Sequence, residues 1–334
     1  MDVQELLDLA TPWCLRVLVT LNIPELVGAG HHDVSELAKA AGCDARALHA
    51  VLSRVARKGV FVEPQPGWFE VNPAARELAR QARYLGLSGM GGRYAQIWST
   101  LLSYTRTGES GYAAMYGRPF WDDLAADPEL ARSFDALLTH PAGHGVPDSD
   151  FEISGGWGRA GTIVDVGGAT GVFLSELLQR HPGWRGTLLD LPQSVARAAP
   201  VLDRAGVSDR VKTVGQSFFD PLPAGADLYL LRRVLIDWPD EDKARILRRC
   251  ADAARPDGRV VVIGGVSPDE TLGEVTAELL MVGGWKVTMS EFRDLARAAG
   301  LTVTAASRQP PARFVIECRP LPGQDRAGSG PGPG

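Results

Sequence analysis

The chain has 334 residues, 45% hydrophobic and 22% charged, with a net charge of -5. That supplies apolar material for one large core or two smaller ones in a soluble protein. The acidic balance offers no bulk positive field for nucleic acid or an anionic bilayer, and no apolar run reaches membrane-spanning length.

The opening segment, MDVQELLDLATPWCLRVL, carries acids where a secretion signal needs bases, so it reads as an amphipathic helix. Cys14, Cys43, Cys250 and Cys318 are widely spaced with no CxxC pair. They read as thiols of a cytoplasmic protein, with no disulfide frame and no metal site. Ser35–Gly42 is expected to form a short capped helix ending at glycine. Asp44 then opens a second helix through Lys58, with Leu48, Val51, Leu52 and Val55 on one face. Gly59–Glu63 and Trp68–Val71 follow as a hairpin. This order is helix-turn-helix plus wing. Arg46, His49, Arg54, Arg57 and Lys58 would suit DNA phosphates or an ordinary solvated face. The acidic chain and its enzyme-like remainder favour the solvated face and no nucleic-acid partner.

Residues 90 to 145 read as helical and aromatic. Most of those rings are expected in the core, with Trp98, Tyr116 and Phe120 as candidates for the apolar wall of a small-molecule site. Asp127–Glu129 looks like a helix start with proline in the first turn. Ser154–Gly158 is a plausible joint. The expected domains are therefore 1–150 and 151–320, with a Gly/Pro-rich disordered tail at 321–334.

From residue 161 strands and helices alternate. The expected strands are Thr162–Val166, Thr187–Asp190, Val211–Val214, Asp227–Leu231 and Arg259–Ile263, then Leu301–Ala306 and Phe314–Cys318. Helices fall between them, including Glu241–Ala254 and Ser290–Ala299. This is a doubly wound α/β pattern.

The first of these strands runs into Asp165-Val-Gly-Gly-Ala-Thr-Gly171. A glycine turn leaving a strand lets a ligand approach the backbone, and ligands in such sheets lie beyond the carboxyl ends of the strands. The next strand ends in an acid, Asp190, placed to accept hydrogen bonds from both ribose hydroxyls of an adenosine. NAD is the rival ligand, but the loop lacks the GxGxxG spacing because its sixth place is Val172. Asp165 adds a buried acid suited to a cationic ligand, which favours S-adenosylmethionine.

Four segments carry a resemblance: IVDVGGATG, LLDLPQSV, the stretch from VGQSFFDPLPAGADLYLLRRVLIDWPDEDKARIL to RPDGRVVVI, and LLMVGGWKVTMSEFRDLARAAGL. In that order they resemble the S-adenosylmethionine-dependent small-molecule O-methyltransferases, which include caffeate, flavonoid and bacterial polyketide-tailoring enzymes. The resemblance covers nearly the whole chain. It implies a C-terminal Rossmann-like class I methyltransferase domain behind a mostly helical, winged-helix-like dimerisation domain. It also implies a homodimer acting on a small aromatic or polyketide acceptor in secondary metabolism.

Carried over by position, Gly167, Gly168 and Gly171 would line the methionine part of the cofactor. Asp190 would hold the ribose. Leu191 and Phe218 would sandwich the adenine. Ser217 would sit near its amine, Arg232 near the cofactor carboxylate, and Trp238 would close the site. Ala169 replaces the family's middle glycine. Glu278 and Met281 match an acid–x–x–Met segment, with Met281 packing on the substrate plane.

The catalytic stretch departs from the family. Where the family reads Leu-His-Asp-Trp, with the histidine as general base, this chain has Leu235-Ile236-Asp237-Trp238. Gly264 and Lys286 stand where the family has two supporting glutamates. Four readings follow. The acceptor hydroxyl is already acidic, with Lys286 steadying the phenolate. Another base serves, His140 or His144. The bound cofactor serves other tailoring chemistry, such as hydroxylation, decarboxylation or a pericyclic step. Or the acceptor is carbon or nitrogen. Asp237 orients substrate or base, or else caps a helix or pairs with an arginine. Arg16 reaches a substrate carboxylate across a dimer or is solvated or salt-bridged.

Overall fold

The computed structural model describes residues 3–138, 149–269, 274–310 and 313–322. His140, His144 and the tail beyond 322 lie outside the described residues. The chain divides into two compact units. One comprises Met1–Leu102 with Ala114–Leu138, the other Ser103–Ala113 with Thr139–Gly334.

In the first unit the opening segment is two helices, Val3–Leu6 and Ala10–Thr20, rather than one. Asp8 causes the break by accepting hydrogen bonds from the Ala10 and Thr11 amides at 3.1 and 3.0 Å. Asp33, not Ser35, caps helix Val34–Ala41, and Gly42 ends it in the left-handed conformation. Asp44 caps helix Ala45–Ala56 by accepting from the Ala47 amide. The wing is β1 (Val62–Gln65) paired antiparallel with β2 (Trp68–Glu70). Leu18, Ile23, Leu37, Leu52, Val55 and Phe69 meet in one core. Burial of such side chains stabilises by about 1.5–3 kcal/mol each before the entropy of ordering them is counted. The basic helix face is engaged within the unit: Arg54 lies 2.8 Å from Asp8 and His49 lies 2.9 Å from Glu63.

The aromatic stretch is a series of short helices, not a continuous run: Met90–Gln96, Leu101–Thr107, Tyr112–Tyr116, Phe120–Ala126 and Pro128–Leu138. Gly108 and Gly117, both at positive φ, and Pro119 punctuate it. Asp127 does open the last helix, accepting from the Glu129 and Leu130 amides.

The second unit contains a seven-stranded sheet. Its strands are β3 (Gly161–Val166), β4 (Trp184–Asp190), β5 (Val211–Gly215), β6 (Leu228–Arg232), β7 (Arg259–Ile263), and, after the short pair β8 (Val266–Ser267) and β9 (Val287–Thr288), β10 (Leu301–Gln309) and β11 (Arg313–Pro320). The order is β10-β11-β7-β6-β3-β4-β5, parallel except where β11 runs against both neighbours. Val164, Val166, Tyr229 and Leu231 fall in one core, and Ile163, Leu228 and Leu230 in the other. Both faces are therefore covered, which is why β6 and β7 read as apolar runs. Strand order reverses at β3, between β4 and β6, so the carboxyl ends of these three strands form the switch-point crevice where such sheets bind ligands.

Candidate functional site

The turn after β3 is locked from within. The Gly167 and Gly168 amides both donate to the Leu189 carbonyl, at 2.8 and 3.3 Å. A β-carbon on Gly168 would stand 2.4 Å from Asp165 Oδ2 and 2.6 Å from Leu188 Cδ1. This glycine therefore makes room for the neighbouring carboxylate. Ala169 takes φ +52° in the left-handed region, and its amide donates to Asp190 Oδ2 at 2.8 Å. Gly171, also left-handed, precedes helix Val172–Arg180.

Two acids face this turn. Asp165 is buried, and its Oδ2 has no hydrogen-bond partner among the described residues. Burial pushes its carboxyl up to about 7; the positive charge of Arg232 opposes this and the negative charge of Asp190 adds to it. Asp190 is half-buried at the end of β4. Burial raises its pKa, and the amide bonds from Ala169 and Leu191, with Ser194 and Arg197, pull the other way. Leu191 leads directly into helix Pro192–Val195.

The crevice has an aromatic side. Phe218 lies against Gly167, within 3.5 Å of where a β-carbon there would be. Trp238 stands edge-on to Phe218 and Phe219, at centroid distances of 5.7 and 4.9 Å. Ser217 is half-buried and its Oγ accepts from the Phe219 amide. Arg232, at the end of β6, lies over the Phe173 ring at 5.0 Å. The fold thus brings Asp165, Gly167, Gly168, Asp190, Phe218, Arg232 and Trp238 to one edge of the sheet.

A second cluster adjoins Trp238. Ile236 and Asp237 end the 3-10 turn Leu235–Asp237. Gly284 packs flat on this turn: a β-carbon there would lie 2.1 Å from the Ile236 carbonyl oxygen and 2.5 Å from the Asp237 carbonyl carbon. Gly265 lies against Ile236 Cβ, at 3.5 Å by the same measure. Gly265 and Gly284 therefore converge on Ile236. Burial pushes the Asp237 carboxyl up to about 7, against the pull of Arg233 and with the push of Glu278. Met281 is buried in helix Ala277–Val282, whereas Glu278 and Lys286 are exposed.

Helix Asp240–Ala253 has no side-chain cap and begins after Pro239, so the structure does not place Asp237 as its N-cap. Sequence reasoning passed over Arg233, whose positive φ of +57° was its only anomaly and is visible only in three dimensions. It also passed over the pairing of Tyr104 with Trp285, 5.7 Å apart.

Of the aromatic candidates in the first unit, Trp98 is exposed. The Tyr116 hydroxyl donates to Gln96 Oε1 at 2.9 Å, and Phe120 packs against Trp121 and Phe134. An open polar cleft of about 490 Å³ in this unit is lined by Arg93, Gln96, Asp127 and Ser133 and by none of the three. Arg16 is half-buried and donates to the Leu85 and Gly91 carbonyls at 3.2 Å. Among the described residues, no group of His, Cys, Asp and Glu is placed to hold a metal ion, and no helix is long and apolar enough to cross a membrane.

Comparison with known proteins gives a consistent picture. Residues 98–302 match the O-methyltransferase domain model. A 2,7-dihydroxy-5-methyl-1-naphthoate 7-O-methyltransferase from Streptomyces carzinostaticus is 38% identical over 90% of this chain and 92% of its own length. Aclacinomycin 10-hydroxylase RdmB of Streptomyces purpurascens is 33% identical over 89% of this chain and 83% of its own. The crystal structure of the O-methyltransferase NcsB1 from neocarzinostatin biosynthesis, in complex with S-adenosylmethionine and 2-hydroxy-5-methyl naphthoic acid, superposes with a TM-score of 0.86. It is 35% identical, covering 96% of this chain and 99% of that one.

Proposed function

Because the chain belongs to the S-adenosylmethionine-dependent O-methyltransferase family, we propose that its sheet-edge crevice holds the cofactor and presents it to the hydroxyl of a small, carbonyl-bearing aromatic acceptor of antibiotic-type secondary metabolism. The observation that carries this is the buried Asp165 carboxyl, whose Oδ2 has no hydrogen-bond partner among the described residues. A buried acid is costly, and a cationic ligand adds to the partial compensation from Arg232. The neighbouring donor set fits the rest of the molecule: Asp190 for ribose hydroxyls, Leu191 and Phe218 for the two faces of adenine, Ser217 at its edge, and Arg232 for the carboxylate. Gly167, Gly168 and Gly171 carry the backbone past it, and Trp238 closes the side. When bound, the cofactor supplies an electrophilic methyl group on a sulfonium.

The chain's own contribution on the acceptor side is alignment and exclusion of water. Ile236 and Met281 supply apolar surface, Glu278 and Asp237 negative charge, and Lys286 a cation for an anionic acceptor. The first unit is assigned to dimerisation. Val3, Leu6, Leu7, Leu9 and Trp13 expose an apolar strip at its start, which suits a homodimer. The unpaired thiols suit a cytoplasmic enzyme.

Incubation with methyl-labelled cofactor and a panel of hydroxynaphthoic acids tests the reading. Labelled product with stoichiometric S-adenosylhomocysteine is expected. Acceptor consumed without S-adenosylhomocysteine would replace it with non-methylating chemistry, the reading that Ile236 and the likeness to a hydroxylase keep in view. Sedimentation of the chain, with and without Trp13→Glu, tests the dimer.

A further inference from the structure

Tyr104 is the buried residue of helix Leu101–Thr107. It is 6% exposed, and its hydroxyl has no hydrogen-bond partner among the described residues. A buried hydroxyl left unpaired costs free energy that phenylalanine, filling the same space, would not. Elsewhere the chain satisfies such a group. The hydroxyl of Tyr229, also buried, lies 2.7 Å from the Pro223 carbonyl and 2.9 Å from that of Ala253.

The surroundings of Tyr104 lead back to the cofactor crevice. Tyr104 belongs to the segment Ser103–Ala113 of the second unit. Ser110 ties this segment down: its Oγ lies 2.8 and 2.7 Å from the Leu280 and Met281 carbonyl oxygens of helix Ala277–Val282. The chain leaves that helix at the left-handed Gly283. Gly284 then lies on the turn Leu235–Asp237, where a β-carbon would stand 2.5 Å from the Trp238 nitrogen. The next residue, Trp285, sits beside Tyr104, with ring centroids 5.7 Å apart and planes inclined by 42°. Trp238 in turn stands edge-on to Phe218, which lies against Gly167. The aromatic side of the crevice thus continues, through the backbone contact at Gly284, to Trp285 and Tyr104.

The two rings differ in what they offer. Trp285 is 44% exposed and presents surface to a planar group. Tyr104 holds a hydrogen-bond donor. Burial raises its pKa above the usual tyrosine value, so the hydroxyl stays protonated and neutral at physiological pH. A neutral donor in apolar surroundings is matched by a carbonyl oxygen.

We propose that Tyr104 and Trp285 form the subsite that reads the carbonyl of the methyl acceptor, Trp285 packing on its aromatic ring and the Tyr104 hydroxyl donating to its carbonyl oxygen. The inference deepens the small-aromatic-acceptor reading above and rests on it. The hydroxyl is covered without ligand, so a neighbour must shift to admit the carbonyl; Trp285, exposed and preceded by two glycines, has the room to do so. An acceptor lacking the carbonyl leaves the hydroxyl unpaired and is disfavoured for that reason.

The test uses Tyr104→Phe and Trp285→Ala with naphthols, acetylnaphthols and hydroxynaphthoquinones of graded acidity. Dissociation constants are measured by calorimetry without methyl donor, and methylation rates separately. Tyr104→Phe should weaken the carbonyl-bearing compounds about 3–10-fold and leave the plain naphthols unchanged. Its Tm without ligand should equal or exceed that of the wild type, because no hydrogen bond is lost. Trp285→Ala should weaken every member of the series. Equal effects of Tyr104→Phe on both classes, no effect on either, or a lowered Tm would overturn the proposal. So would unchanged binding in Trp285→Ala. Absence of methyl transfer by the wild type, with the carbonyl preference and its loss in Tyr104→Phe intact, would sink the methyltransferase reading and leave the subsite standing.

Discussion

Gly284 and Ile236 are in backbone contact: a β-carbon on the glycine would fall 2.1 Å from the isoleucine carbonyl oxygen. This one relationship joins positions 48 residues apart in sequence and decides how the turn Leu235–Asp237 is held. Gly284→Ala should shift the turn or the strip that covers it, costing about 1–3 kcal/mol. The measurement is thermal unfolding, together with acceptor KM. An unchanged Tm and KM would mean that the turn has room to move.

Ile236→His places a neutral base beside the acceptor without adding a charge. Its β-carbon contact with Gly265 survives, because histidine keeps that atom. We expect the rate on weakly acidic naphthols to rise about tenfold or more, while acceptors already ionised gain little. Initial rates across the same acceptor series decide it. No gain would mean that this position does not face the acceptor oxygen.

Ala169 holds a left-handed backbone at φ +52°, where a β-carbon costs about 1–2 kcal/mol. Ala169→Gly should therefore stabilise the fold by about 1 kcal/mol, less what the freer unfolded chain gains. Chemical denaturation reads the change. Destabilisation would mean that the methyl group packs usefully.

Asp165 ties folding to pH. Its carboxyl moves from 3.8 in a free chain up to about 7 in the fold, chiefly by burial. Between those values the folded state binds more protons than the unfolded state, so stability falls as pH rises through that range. Asp237 shifts in the same direction and adds to the fall. Asp165→Asn should flatten the decline between pH 4 and 7, and Asp165→Asn with Asp237→Asn should flatten it further. Unfolding free energies across this range, measured without ligand, are the check. At pH 8 the single variant should be more stable yet bind S-adenosylmethionine more weakly.

The sequence alone determined the parts governed by local chemistry. Apolar runs marked β6 and β7, because a doubly covered central strand has no polar face to alternate with. The glycine turn and Asp190 were legible as a candidate ligand site, because backbone turns and strand-end acids are short-range features. The departure at Ile236 was equally plain, since its neighbours are so regular. Tertiary structure decided the rest. Asp8 and Asp33 set helix boundaries that periodicity placed elsewhere, because a cap depends on which amide the side chain meets. Gly168 yields to Asp165 rather than simply to a ligand, and Gly284 and Gly265 converge on Ile236. The pressure on Asp237 arises from burial and from Arg233 and Glu278. Those are matters of distance and desolvation, set when β6, the strip at 283–286 and helix Ala277–Val282 come together.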